Sequence, residues 1–367
     1  MRRIFNRPTR NIGRLSWILV LLLGIVAGCS SEDSYECTEP NTEEKALEQL
    51  LTRASIETDA FITEWIIPKD SILNLPLDTS KIYNCIIDWG DNSTVSYIFS
   101  KADYYKARHI YYQPGVYRVR ILGDFPVLNI QENCKVWLSK VIQWGNANFY
   151  SLFGTFMDCT NLVSIASGIP DVGSYMSTFR NCTSLQSLPD GLFNRSINTQ
   201  NFAFTFQGCT NLTTLPVGLF ENCTNVTSFI GVFVSCGLVV LPERLFANCT
   251  RVVGFTRTFA QCSNLIAIPA DLFSSTSEAT SFLMVFNGCS KLQSIPPSLF
   301  DNCRKVTSFV NTFRGCTSLT GKTPRTEPWE LWERAGKSGY PNEIDGTGCF
   351  SGCEGLDNFN SINLEWR

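Results

Sequence analysis

The sequence predicts two units in series: a small β-sandwich, then a curved α/β solenoid of about seven coils. Two observations predict the solenoid. Phe-x-x-Cys recurs at Phe156/Cys159, Phe179/Cys182, Phe206/Cys209, Phe233/Cys236, Phe259/Cys262, Phe286/Cys289 and Phe313/Cys316, in steps of 23, 27, 27, 26, 27 and 27 residues. Behind five of these cysteines stands Leu-x-x-Leu/Ile-Pro, from Leu185-Leu188-Pro189 to Leu292-Ile295-Pro296. The third observation predicts the sandwich. Between residues 54 and 132, the runs FITEWII, YNCIIDWG, VSYIF and HIYYQPGVYRVRILG alternate or stay apolar, with turn residues between them.

The chain opens with a targeting signal over residues 1–28. Its first fourteen residues carry five arginines and no acid, and an apolar run, LSWILVLLLGIVAG, follows. The run is short for a membrane span. It ends at Val26-Ala27-Gly28-Cys29, which resembles a bacterial lipobox. That resemblance implies cleavage before Cys29 and a diacylglycerol on its sulfur. Loss of the five arginines leaves 25 basic against 33 acidic residues, a net charge of -8. Such a chain has no basic stripe for nucleic acid. Residues 29–53 form an acidic tether and a short helix. Ser30-Ser31-Glu32-Asp33 resembles the tag that directs some Gram-negative lipoproteins to the outer face of the outer membrane. Leu47, Leu50 and Leu51 share one helical face in EEKALEQLLTR.

The sandwich segment, 54–132, carries two further signatures. Asp88-Trp89-Gly90-Asp91-Asn92-Ser93 and His109-Ile110-Tyr111 through Pro114-Gly115-Val116-Tyr117-Arg118-Val119 resemble the hairpin and the closing strand of PKD-type domains. Gly90 with Asp91-Asn92 suits a tight turn with positive φ, and Pro114-Gly115 suits a type II turn. Asp88, Asp91 and His109 could bind a metal or exchange protons. Turn capping accounts for them more simply.

Residues 133–320 are the repeats. Leu-x-x-Leu-Pro reads as a short strand ended by proline. An aromatic (Tyr175, Phe202, Phe229, Phe255, Phe282, Phe309), the Phe and the Cys fall at i, i+4 and i+7, one face of a short helix. Thr227, Thr280 and Thr307 would cap those helices. Strands repeat every ~4.8 Å and helices need ~8–10 Å, so the stack should curve with strands inside. The ligand-facing row on the concave side would be Gln186, Thr213, Val239, Ile266 and Gln293. The smaller, more uniform residues after them, Ser187, Thr214, Val240, Ala267 and Ser294, would face inward; Leu-x-x-Leu does not keep a period of two, and a slip of register would exchange the two rows.

The cysteines lie about 27 residues apart in identical contexts, unlike clustered metal ligands. A second row, Cys223, Cys249 and Cys303, is replaced by Ser196 and Thr276 in sister copies. Both rows read as buried structural thiols, with disulfides between neighbouring coils as the alternative that an oxidising compartment allows. No metal, cofactor or catalytic residue is expected. Glycan hydrolysis needs two carboxylates facing a cleft, whereas Asp190, Glu221, Glu243, Asp271 and Asp301 stand at non-equivalent turn positions. There is no GxSxG or HExxH, and the single histidine lies outside the repeats. Residues 321–367, with PWELWERAG and CFSGC, break the period and cap the stack.

Together, the lipobox, the PKD-like segment and the Phe-x-x-Cys-x-x-Leu-x-x-Leu-Pro repeats resemble the BspA-type leucine-rich-repeat surface lipoproteins of Gram-negative bacteria, over roughly residues 15–367. The incomplete second cysteine row and the Trp-rich C-terminal insert depart from that pattern. The resemblance implies a lipid-anchored protein of the outer membrane, exposed at the cell surface. Its partners would be a host extracellular protein or glycan, or neighbouring cells. The competing readings are a glycan-active enzyme with an accessory sandwich, and a structural fimbria-associated component without a specific ligand.

Overall fold

The structure, a computed structural model, describes residues 56–367. The signal segment, Cys29 and the tether with its helix lie outside the described residues.

After a single helical turn, α1 (Ile56–Asp59), the chain enters β1 (Phe61–Ile67). Consecutive residues of FITEWII are buried on both faces, which marks a central strand. It pairs antiparallel with β6 (Gly115–Asp124) on one side and with β7 (Leu138–Gln143) on the other. With β3 (Asn84–Asp88), β4 (Ser96–Ile98) and β8 (Ser164–Ile165), they form a six-stranded sheet in the order β4-β3-β6-β1-β7-β8. A two-stranded sheet, β2 (Ser71–Asn74) with β5 (Arg108–Tyr111), contributes Leu73 and Tyr111 to the same core as Trp65 and Val119. Glu64 is buried at the centre of β1. The hydrogen bond from Lys140 at 2.8 Å, helped by Arg118 at 3.4 Å, holds its carboxyl below the usual range against the cost of burial.

Gly90 turns the β3–β4 hairpin at φ +79, where a Cβ would stand 2.4 Å from the Arg118 carbonyl oxygen. Gly115 differs from the type II expectation. It opens β6 without a positive φ, and its missing side chain makes room for the Tyr117 ring.

The expected curved α/β solenoid does not form. Among the described residues the sheets lie in the N-terminal part and the C-terminal cap, and the repeats contain no α-helix. Each Phe-x-x-Cys segment is instead a pair of tight turns. In one coil, the N–H groups of Phe202, Phe204, Phe206 and Gly208 donate to the carbonyls of Ser228, Ile230, Val232 and Val234 of the next coil, at 2.8–3.0 Å. Phe204 (φ 57) and Gly208 (φ 76) adopt left-handed backbone, as do Ser177 and Asn181 one coil earlier. A helix sends every N–H to its own i−4 carbonyl and excludes left-handed residues. Spacing at i, i+4 and i+7 is common to a helix face and to two successive turns, and here the turns form.

Nor do Thr227, Thr280 and Thr307 cap helices. Their hydroxyls donate to carbonyls of the preceding coil, at 3.3, 3.1 and 3.3 Å. Coil therefore sits on coil through backbone bonds and single parallel bridges that run Ser174, Asn201, Ser228, Gly254, Ser281, Ser308, Asp345.

The core is a set of aromatic columns. The Phe of each Phe-x-x-Cys stacks on its neighbour 5.4–5.8 Å away, from Phe156 to Phe350. Trp144 closes one end of that column against Phe156. At the far end of the next column, Trp366 meets Phe309 at 6.1 Å and packs on Gly346, where no side chain could fit. The first repeat is sealed to the sheet by β8 on β7 and by a bridge from Val127 to Ser151. In the cap, β9 (Arg325–Thr326) and β10 (Trp329–Glu330) pair as a hairpin.

Candidate functional site

The Leu-x-x-Leu segments determine what the repeats present to solvent. Leu185 and Leu188 are both buried, and so are their counterparts in the next four coils. Two inward residues three apart do not fit the period of two of a strand. The two residues between them bow outward as a corner.

Gln186, Thr213, Val239 and Gln293 are accordingly exposed, and Ile266 is half-buried. Ser187, Thr214, Val240, Ala267 and Ser294 are exposed too, so the expectation that they face inward is wrong. The site is two outward rows rather than the concave face of a sheet.

Backbone bonds hold the first row in register. The N–H of Thr213 meets the Gln186 carbonyl at 3.5 Å, Val239 meets Thr213 at 3.1 Å, Ile266 meets Val239 at 3.0 Å and Gln293 meets Ile266 at 3.1 Å. These N–H groups point towards the N-terminal end of the stack, while those of the Phe-x-x-Cys turns point the other way. Val240 bridges Ala267. Val239 at 37% and Val240 at 44% exposure, with Ile266 and Ala267, form an apolar centre between Thr213-Thr214 and Gln293-Ser294.

Asp88, Asp91 and His109 are fully engaged in the first domain. Asp88 accepts from the Gly90 N–H and from Arg120. His109 Nε2 lies 2.6 Å from Asp91 Oδ2, and its ring stacks on Trp89. Burial opposes the Asp91 charge, but hydrogen bonds from Ser93 and His109 outweigh it and lower the carboxyl. Asp91 and Ser93 meet the same histidine nitrogen, which is not the relay of a nucleophilic triad.

The described cysteines are free and buried. In the first row, each thiol from Cys182 to Cys316 donates at 3.0–3.2 Å to the Phe carbonyl of the preceding coil. In the second row, Cys249 and Cys303 lie 3.8 Å from such carbonyls, whereas the Thr276 hydroxyl donates within its own coil to the Phe273 carbonyl at 3.0 Å and Ser196 meets the Tyr175 hydroxyl at 2.7 Å. Ser196 and Thr276 are as buried as the thiols but find other partners, so what the position requires is a small, buried, weakly polar group. Burial pushes Cys209 and Cys262 up to about 12, so these thiols hold no nucleophilic thiolate at neutral pH.

Two features were not read from the sequence. Glu221 and Glu243, on adjacent coils, line one open pocket of about 410 Å³ with Val217, Phe220 and Arg244. Their 22-residue separation hides that the coil period brings them together. Met176, Phe204, Ile230, Leu283 and Met284, within the turns, are half-buried apolar residues, with Thr256 and exposed Arg257 at the equivalent positions of the intervening coil. A helix reading assigns those positions to a solvated face.

No family model and no curated protein sequence matches the chain. A chain of the Drosophila Toll–Spatzle complex, described as a molecular hub in development and innate immunity, is similar in structure at 16% identity and a TM-score of 0.25. The match covers 51% of this chain and 30% of that one, and a superposition this loose carries no inference about fold or binding.

Proposed function

We propose that this protein is a surface-exposed bacterial lipoprotein, anchored through Cys29 in the outer membrane, that binds a host extracellular protein, a glycan or a neighbouring cell without catalysis. The observation that carries this reading is the exposed double row. Its side chains project from a backbone pinned at every coil, so little ordering entropy opposes binding. An apolar centre at Val239, Val240 and Ile266 with a polar rim is the composition of a protein-binding surface. The sequence resemblance to BspA-type lipoproteins supports the surface location. The test is a screen of the purified chain against matrix proteins, glycans and cells, repeated with Val239→Asp plus Ile266→Asp. Loss of binding with unchanged circular dichroism supports the reading. Undiminished binding to every ligand found removes these rows from consideration.

A second reading, glycan hydrolysis, draws on Glu221 and Glu243 in their shared pocket, since paired carboxylates are the hydrolytic constellation. Glycan cleavage by the purified chain that disappears in Glu221→Gln and in Glu243→Gln would establish it.

A further inference from the structure

The C-terminal cap contains a buried cation that the fold does not neutralise directly. Arg334 is 0% exposed. Its Nη1 donates to the Phe300 carbonyl at 3.3 Å, in the place a second-row thiol would take in a further coil, and its Nη2 donates to Thr326 Oγ1 at 2.8 Å. Its Nε has no partner, and neither has the buried hydroxyl of Tyr340. The two belong to one cluster, for the Arg334 guanidinium lies 5.6 Å from the Tyr340 ring. A second guanidinium, that of exposed Arg304, lies 5.4 Å from the same ring.

Among the described residues neither arginine has a carboxylate within 4 Å. The nearby acids are occupied. Glu278 pairs with Lys305, and Glu327 with Arg325. Glu330 accepts from the Thr323 hydroxyl, and Glu333 from a backbone N–H. Asp301 reaches Arg334 only through Thr326 Oγ1. Burial weakens the hold of Arg334 on its proton, against the opposing influence of Tyr340, Asp301 and Cys303, and the like charge of Arg304 adds a smaller push in the same direction as burial. Beside the cluster, Lys337 Nζ sits 4.1 Å over the Trp329 ring and also has no ion pair among the described residues.

Buried donors without acceptors cost roughly 1–3 kcal/mol each, and two unpaired guanidiniums on one tyrosine repel each other. A single oxyanion removes both penalties. We propose that Arg334, Arg304 and Tyr340 form an anion site for one sulfate or carboxylate group, approached along Arg304 and flanked by Lys337 and Trp329. Arg334 Nε and Tyr340 Oη each donate one hydrogen bond to the anion, and Arg304 supplies the second charge. The aromatic rim suits an acidic sugar as carrier of that group, because a ring face stacks on a pyranose while the cations take its charge. The site is separate from the rows around Val239, so failure of either leaves the other standing.

The experiment uses the full chain in detergent and follows thermal unfolding in sodium sulfate against sodium chloride at matched ionic strength. A saturable stabilisation specific to sulfate is expected. Arg304→Gln and Tyr340→Phe should each weaken the apparent sulfate affinity about tenfold, the scale of one charge-assisted hydrogen bond, with unchanged circular dichroism. Lys305→Gln, a control cation already paired with Glu278, should leave it unchanged. A dextran sulfate oligomer that competes where neutral dextran does not identifies a sugar-borne group. Competition by neither oligomer, with sulfate still bound, identifies a free anion. Three results would overturn the proposal: no difference between sulfate and chloride, wild-type affinity in both variants, or an equal loss in Lys305→Gln.

Discussion

Phe233→Ala tests the aromatic column directly. Phe233 is fully buried and stacks between Phe206 at 5.8 Å and Phe259 at 5.7 Å, with interplanar angles of 5° and 9°. A buried Phe ring removes ~150–250 Å² from water. At ~25 cal/mol per Å², less what the alanine methyl retains, the transfer loss is about 3–4 kcal/mol. Two stacked partners add roughly 0.5–1.5 kcal/mol each, and partial collapse of the cavity returns some of this. The net expectation is about 4–5 kcal/mol, the upper part of the range for such truncations. Phe350→Ala, whose ring has one column partner, Phe313, should cost about 3 kcal/mol on the same reasoning. The assay is urea unfolding of the full chain in detergent, followed by tryptophan fluorescence, with slope and midpoint compared. Equal losses at the two positions would refute the role of two-sided stacking. A loss below about 1 kcal/mol at Phe233 would refute its burial in the column.

The buried thiols set a pH dependence. Their folded values lie above the unfolded value of about 8.5, reaching about 12 at Cys209, Cys249 and Cys262. Their contribution is therefore complete below pH ~8.5 and is lost as pH rises from there towards 12. Urea midpoints should fall from pH 8 to pH 10, and Cys249→Ser should reduce that slope; a flat profile would contradict the burial. Alkylation without reductant after unfolding should label the repeat thiols, and Cys209 and Cys236 recovered as a disulfide in most molecules would contradict the free state. Gly90→Ala, at φ +79 and 2.4 Å from the Arg118 oxygen, should destabilise by more than ~1 kcal/mol, measured by the same urea unfolding; a neutral effect would show that the hairpin relaxes. Cys29→Ala should abolish palmitate labelling, and continued incorporation would place the lipid elsewhere.

The period, the inward Phe, Cys and Leu positions and the strands in FITEWII, YNCIIDWG, VSYIF and HIYYQPGVYRVRILG were legible in the sequence, because burial follows from apolar residues recurring at fixed intervals; β2 was not named, and β7 and β8, which join the same sheet, fall in the segment 133–320 assigned to the repeats. The structural role of the buried thiols was legible as well, since Ser196 and Thr276 stand in for Cys, while the sequence left open whether they pair as disulfides. The conformation of each Phe-x-x-Cys segment was not. Positions i, i+4 and i+7 point inward in a helix and in paired turns alike. The choice falls to the N–H groups of Phe202, Phe204, Phe206 and Gly208, which find acceptors only once the next coil is in place. The outward rows were half legible. Gln186 to Gln293 were named, but Ser187 to Ser294 were sent inward by their small and uniform size, whereas Leu-x-x-Leu turns both rows outward. Glu221 and Glu243 in one pocket, and Arg334 beside Tyr340 and Arg304, could not be read at all. Sequence by itself determined that the recurring Phe, Cys and Leu leave water, because that depends on composition and spacing within a coil. Tertiary structure decided backbone geometry and charge neighbours, because both depend on hydrogen bonds and distances between coils that no local pattern encodes.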